Sequence, residues 1–381
     1  MITSIFIILG ILSAAFIILG SVVDVSDPRK LILFFGIFIT IAGVGLAYLT
    51  EPYYGSDLSR YFAEIGRYQR YGWDYAFSAY SLYASTPLTC LFMYLVSLTG
   101  DFHLFPAISA GITLVLWNYV LWDQSKYFGW SNKAYFSVVL FVFGGMNGIL
   151  SILIGGRQHL AFALMLFALW YDLKPTQHKK RNSIIKIALY LPPILIHYGV
   201  SPIYIARVCV PLYRKLRLNP FASVILALFI ALASNSALEL LVNHSVGGIL
   251  IEEIYSKFSG YNEIAIADFR VKLLESATAA LLLLLTYLTL KQDDVSRSND
   301  YLLVLLIISG MSVAFFSNYH LSDRLLSFCL YGSYPIALTL LSKRRASKLF
   351  LGIYAVLLII LTLNIAYEYV SISNQWQLTW V

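Results

Sequence analysis

Charge is scarce in this chain. Asp, Glu, Lys and Arg make up 12% of its 381 residues, against 59% hydrophobic residues. A soluble domain carries roughly 25% charged residues, so a water-facing globular fold is excluded. Cysteine is scarcer still. Cys90, Cys209 and Cys329 each lie in an apolar run. Their spacing suits neither a disulfide framework nor a metal site, and they read as small core residues. No Gly-x-x-x-x-Gly-Lys phosphate loop occurs, so nucleotide hydrolysis has no motif to rest on. No Ala-x-Ala cleavage site and no basic leader accompany the first apolar run, which is therefore expected to remain as a span. No lipidation motif and no metal-ligand cluster is present, and no cofactor is expected.

Long apolar runs are what the chain does have. They cover 2–23, 31–50, 82–99, 104–122, 134–154, 158–173, 221–242, 271–290, 300–317, 325–342 and 349–370. The expected fold is all-α: a single polytopic transmembrane domain over 1–381, with about 11–14 membrane helices, some short or re-entrant. The formal net charge is +7, but it is no nucleic-acid signal. The basic residues sit in short loops: Arg29-Lys30, Lys179-Lys180-Arg181, Arg214-Lys215-Arg217 and Lys343-Arg344-Arg345. By the positive-inside pattern these loops are cytoplasmic.

Working outward from those loops, 51–81, the neighbourhood of 155–158, 243–270, 318–324 and the tail 371–381 are expected outside. Two short apolar arms, 184–197 and 199–212, flank His197 between basic loops. They predict a helical hairpin that enters from the cytoplasm and turns at His197. The crossings between 82 and 173 do not add up to the required parity. Either 134–154 is broken at Gly144-Gly145 and Gly148, or one earlier run fails to cross. The outer segments 51–81 and 243–270 both read as amphipathic. In "SDLSRYFAEIGRYQR" (56–70), Asp57, Tyr61, Glu64 and Tyr68 share one helical face, with Arg60 and Arg67 on a neighbouring stripe. A helix lying at the interface is expected there.

This topology gathers Glu51, Asp57, Arg60, Arg157, Gln158, His159, His197, His320, Asp323 and Arg324 on the outer face. An arginine within a membrane-apolar run such as "LIGGRQHLAF" (153–162) costs roughly 2.5–3.5 kcal/mol on insertion scales. A site for a charged, sugar-bearing lipid needs such groups. Arginine binds phosphate through a planar fork, a carboxylate or histidine accepts a proton, and aromatic rings stack on sugars. Each residue also has a plain structural role open to it. Arg157 could snorkel, His197 could be a satisfied tip residue, Asp57 a helix cap, and Arg60 and Arg67 a solvated face or partners of Glu64.

Four segments in this order give the chain a likeness. They are "GSDLSRYF" (55–62), "GGRQHLAFALML" (155–166), "LIHYGVSPIYI" (195–205) and "SDRLLSFCLY" (322–331). The chain resembles the EpsG/Wzy-type polysaccharide polymerases of bacterial membranes. The matching elements there are Gly-x-Asp-x-x-x-Tyr, Ile-Arg-Gln-x-Leu-Ala and Phe-His-x-Ser-Ala, followed by a late arginine. Gly156, Gly199 and Val200 depart from those patterns, and neither Arg157 nor Arg324 is followed eleven residues on by glycine.

The resemblance implies transfer of a growing glycan from undecaprenyl pyrophosphate to a hydroxyl of the next lipid-linked repeat unit. This would occur at the outer face of the cytoplasmic membrane, yielding O-antigen, exopolysaccharide or capsule. Implied partners are the undecaprenyl-pyrophosphate-linked oligosaccharide, membrane lipid, a chain-length regulator and a flippase. Asp57, His197 and Arg157 are the expected catalytic residues. Arg157, Gln158, Arg324, Arg60, Tyr61 and His320 are the expected substrate contacts. The competing expectations are a multispan polyprenyl-phosphate-dependent glycosyltransferase adding single sugars, and a transporter or flippase of lipid-linked oligosaccharide.

Overall fold

The computed structural model describes residues 28–52, 56–128, 156–174, 183–215, 300–314 and 321–329, with single positions at 152, 225, 229, 277, 280, 283, 284 and 332. The expectations for the first span, the glycines at 144–148, the loop 243–270, His320 and the tail 371–381 lie outside the described residues. All regular structure within them is helical: α1 (Pro28–Tyr48), α2 (Asp57–Ala76), α3 (Pro87–Thr99), α4 (Leu104–Phe128), α5 (Gly156–Leu173), α6 (Ser183–Ile196), a 3-10 turn (Tyr198–Val200), α7 (Ser201–Lys215) and α8 (Asp300–Ala314). A further helix, α9, covers 321–329. Among the described residues, Leu104–Gln124 is long and apolar enough by itself to cross a membrane. Gly36–Tyr48, Pro87–Thr99, Ile184–Ile196 and Asp300–Val313 are shorter apolar helices.

Side-chain contacts fix the directions of these helices. α1 and α4 run antiparallel: Gly36 faces Asn118, Gly43 faces Leu114 and Gly111 faces Val44. The glycines let the two backbones approach, as small residues do where no water drives helices together. Asn118 exploits the gap, its amide donating to the Gly36 carbonyl at 3.1 Å and reaching Thr40 at 3.2 Å. α5 lies parallel to α4. Gly156 abuts Phe105 at one end, and the Trp170 indole donates to Asp123 at 2.7 Å near the other. α8 and α9 are antiparallel, clasped by the reciprocal Ser312–Ser322 bonds at 2.9 and 2.8 Å. The core between them is built from Trp170, Tyr301, Leu114, Met165 and Phe328.

One end of this bundle is tied by ion pairs. Asp172 meets Arg207 at 2.6 Å and Lys186 at 2.9 Å, and Asp123 meets Lys174 at 2.6 Å. Arg214 meets Asp300 at 2.6 Å. The opposite end holds Glu51, the start of α2, the 100–105 turn, the start of α5 and the α6–α7 tip. The run 82–99 has contacts to this second end on both of its flanks. Its start touches the first residues of α5 through Thr86, and its far end touches α1 through Asp101, which accepts from Tyr48 at 2.9 Å. The 13-residue α3 therefore packs sideways against α2.

Candidate functional site

The site begins with α2. Ser56 caps it, its hydroxyl accepting from the Ser59 amide at 3.1 Å. Leu58, Tyr61, Glu64, Ile65 and Tyr68 form the buried face, which takes in three of the four residues that the spacing put on one side of the helix. Asp57 departs from that face. It is half exposed and pairs with Arg60 at 2.7 Å, an exposed pair of the kind that contributes at most about 1 kcal/mol.

Glu64 is buried although it is charged. Its carboxylate accepts from Arg67 at 2.9 Å and from the Leu82 amide at 2.9 Å. Tyr68 and Ser81 share a hydrogen bond at 2.5 Å. These bonds staple the segment 77–86 onto α2 and so place Tyr83 and Thr86.

Arg157 stands at the start of α5, beside Gly156. A β-carbon at Gly156 would lie 3.2 Å from Phe105 and 3.7 Å from Tyr61. Glycine there lets the helix start press against both rings, which accounts for one departure from the family pattern. The Arg157 guanidinium sits 4.3 Å from the Tyr83 ring centre and 6.0 Å from that of Tyr61. It also donates to the Thr86 hydroxyl at 3.4 Å. Among the described residues, no carboxylate lies within ion-pair distance of it. Burial pushes the Tyr61 phenol up to about 12 and raises that of Tyr83 as well. Both phenols are thus neutral, and they hold the cation without neutralising it, Tyr83 by its ring face and Tyr61 also through its hydroxyl. Gln158 is half-buried in the same first turn.

One turn along α3 from Thr86, the Thr89 hydroxyl donates to the Ile196 carbonyl at 2.7 Å. This bond joins the Arg157 side of the site to the α6–α7 tip. The hairpin turns where the sequence placed it, at His197. The His197 amide bonds to the Pro193 carbonyl at 2.9 Å, and its buried ring caps the 3-10 turn, Nδ1 accepting from the Gly199 amide at 3.0 Å. A neutral ring in that arrangement carries its proton on Nε2. A β-carbon at Gly199 would lie 2.7 Å from Cε1 and 2.8 Å from Nδ1 of His197, and 3.5 Å from Nη1 of Arg324. The Arg324 fork, in the first turn of α9, therefore comes up against the tip. That explains the second glycine departure.

The structure thus strings Arg157, Tyr61, His197 and Arg324 along one end of the bundle, with Asp57 and Arg60 at its exposed edge. Tyr61 is buried beneath the arginine and does not present itself to solvent. His159 points the other way. It is buried against Phe162 and lines, with Thr113, Trp117 and Phe328, a small pocket between α4, α5 and α9. Sequence reasoning missed Tyr83, Thr86, Thr89 and the stapling role of Glu64. A buried acid one turn before Arg67 was the available hint.

The profile of the EpsG family matches residues 30–379, nearly the whole chain. The chain belongs to the EpsG family. This is a family of Wzy-type polysaccharide polymerases, membrane-embedded proteins of polysaccharide biosynthesis. None of the curated proteins and none of the solved structures matches the chain.

Proposed function

We propose that this EpsG-family protein extends a polysaccharide at the outer face of the bacterial cytoplasmic membrane, as a multi-pass protein of about 11–14 spans. The donor is a glycan on undecaprenyl pyrophosphate, and the acceptor is a hydroxyl of the next lipid-linked repeat unit. The acceptor oxygen attacks the anomeric carbon, the bond from that carbon to the pyrophosphate oxygen breaks, and the hydroxyl proton passes to a base. The activation energy travels with the donor, so the protein's task is to hold the pyrophosphate, stabilise the charge that develops on it and aim the acceptor.

The observation that carries this reading is Arg157: a half-buried cation held by two neutral tyrosines, with no carboxylate within ion-pair distance among the described residues. It lies at the end of the bundle opposite the basic loops, where the starts of α3, α5 and α7 also bring their positive dipole ends. Arg157 and Arg324 hold the pyrophosphate, with Gln158 and His320 as further contacts and Arg60 at the rim. His197 serves as an Nε2 donor to the leaving group, because its Nδ1 lone pair is committed to Gly199. Asp57 is the group left to take the proton.

The test is to supply the purified protein with a lipid-linked repeat unit and resolve the glycans on a gel. A ladder formed without nucleotide sugar supports chain extension. A product one sugar longer points to single-sugar transfer, and unaltered substrate moved across a bilayer points to transport.

A further inference from the structure

The segment 77–86 has little regular structure, yet Tyr83 is fixed within it from every side. Its carbonyl accepts from the Thr86 amide at 2.8 Å, the Thr86 hydroxyl at 3.0 Å and the Cys90 thiol at 3.0 Å. Its amide meets the Ser81 hydroxyl at 3.4 Å, while Ser81 is itself held by Tyr68. The preceding residue is clamped by buried Glu64. A loop needs no such restraint merely to connect two helices. What the restraint fixes is the plane of the Tyr83 ring, 4.3 Å below the Arg157 guanidinium and in contact with Tyr61 at 5.6 Å between ring centres.

We propose that Tyr83 is the positioning residue for Arg157. Its ring face sets the plane of the guanidinium, and Thr86 steadies one Nη. The rest of the fork is then directed away from the rings, toward an incoming pyrophosphate. An arginine is usually oriented by a carboxylate, which would also cancel the charge that the substrate must meet. An aromatic face orients it and leaves the charge intact. The hydroxyl of Tyr83 plays no part, so the ring alone carries the effect. This inference rests on the anion-binding reading of Arg157.

The test uses the full-length protein in detergent, with inorganic pyrophosphate as the probe. Phenylglyoxal modification of Arg157 is followed by peptide mass spectrometry at increasing pyrophosphate, and melting temperature is recorded for each variant. In the wild type, pyrophosphate protects Arg157. Tyr83→Phe keeps that protection at the same concentrations. Tyr83→Leu raises the concentration needed about tenfold, the worth of one partly desolvated cation–π contact. Thr86→Val, which keeps the ring but removes the Nη contact and one donor to the Tyr83 carbonyl, gives a smaller rise. Equal protection in Tyr83→Leu and the wild type overturns the positioning role and leaves the anion site standing. Absence of protection in the wild type overturns the anion site, and the positioning role with it. A weakening in Tyr83→Phe as large as in Tyr83→Leu overturns the claim that the ring face is what acts.

Discussion

Replacing Gly199 with alanine tests the architecture of the hairpin tip. The added β-carbon would stand 2.7 Å from His197 Cε1, roughly 0.8 Å inside the closest comfortable carbon separation of about 3.5 Å. Gly199 is not among the glycines with positive φ, which in the described structure are Gly72 and Gly100. Backbone conformation is therefore not the obstacle, and the cost is the clash alone. The ring of His197 must swing away and give up the 3.0 Å bond from the Gly199 amide. Overpacking of this kind costs about 1–3 kcal/mol, and the lost hydrogen bond about 1 kcal/mol. The cost should nearly vanish when His197 is already alanine, because the two residues contact each other directly and couple. Thermal melts of wild type, Gly199→Ala, His197→Ala and the double variant in one detergent measure that coupling. Polymerisation should fall with Gly199→Ala about tenfold or more, since a donor displaced by this much no longer faces the leaving group. Strict additivity of the two substitutions, with full activity in Gly199→Ala, would refute this reasoning.

Three further outcomes follow from the same geometry. Thr89→Val keeps the side-chain shape but strips the Ile196 carbonyl of its 2.7 Å donor; a loss of about 1–3 kcal/mol is expected in denaturation, with His197-dependent activity falling alongside. Asp172→Asn leaves the half-buried Arg207 and Lys186 without their shared anion; a loss of about 1–3 kcal/mol is expected as a lower melting temperature. Tyr61 has its phenol raised by burial from 10.0 to about 12, so its contribution is complete below pH 10 and is lost as pH rises toward 12. Tyr61→Phe should remove part of the fall in melting temperature across that window.

Much of this arrangement was legible in the sequence where one local pattern decides it. The period of "SDLSRYFAEIGRYQR" put Tyr61, Glu64 and Tyr68 on one face of α2, and that shared face is the buried one, because burial on a helix follows 3.6-residue spacing. Paired short arms between basic loops gave the turn at His197. A lone arginine at the head of an apolar run marked Arg157. Three things were hidden for physical reasons. Asp57 follows the buried stripe by count, but as the first helical residue it faces solvent and meets Arg60. Only part of the apolar run 82–99 packs on α2 and the hairpin, while Leu95 and Leu98 stay exposed, a division that apolarity alone does not reveal. Tyr83, Thr86 and Thr89 carry no signal of their own in the chain, since their meaning comes from partners 71 and 107 residues away. The identity of the acceptor-side base was also unreadable.

The most direct measurement is the rate of ladder formation by purified wild type, Arg157→Lys and Arg157→Ala on the same lipid-linked repeat unit, with folding checked by melting temperature. The account predicts that both variants fold and that both lose chain extension. Alanine removes the charge, and lysine replaces a planar fork seated on Tyr83 with a point charge that cannot stack or bind bidentately. A ladder of normal length and rate from Arg157→Ala would contradict it.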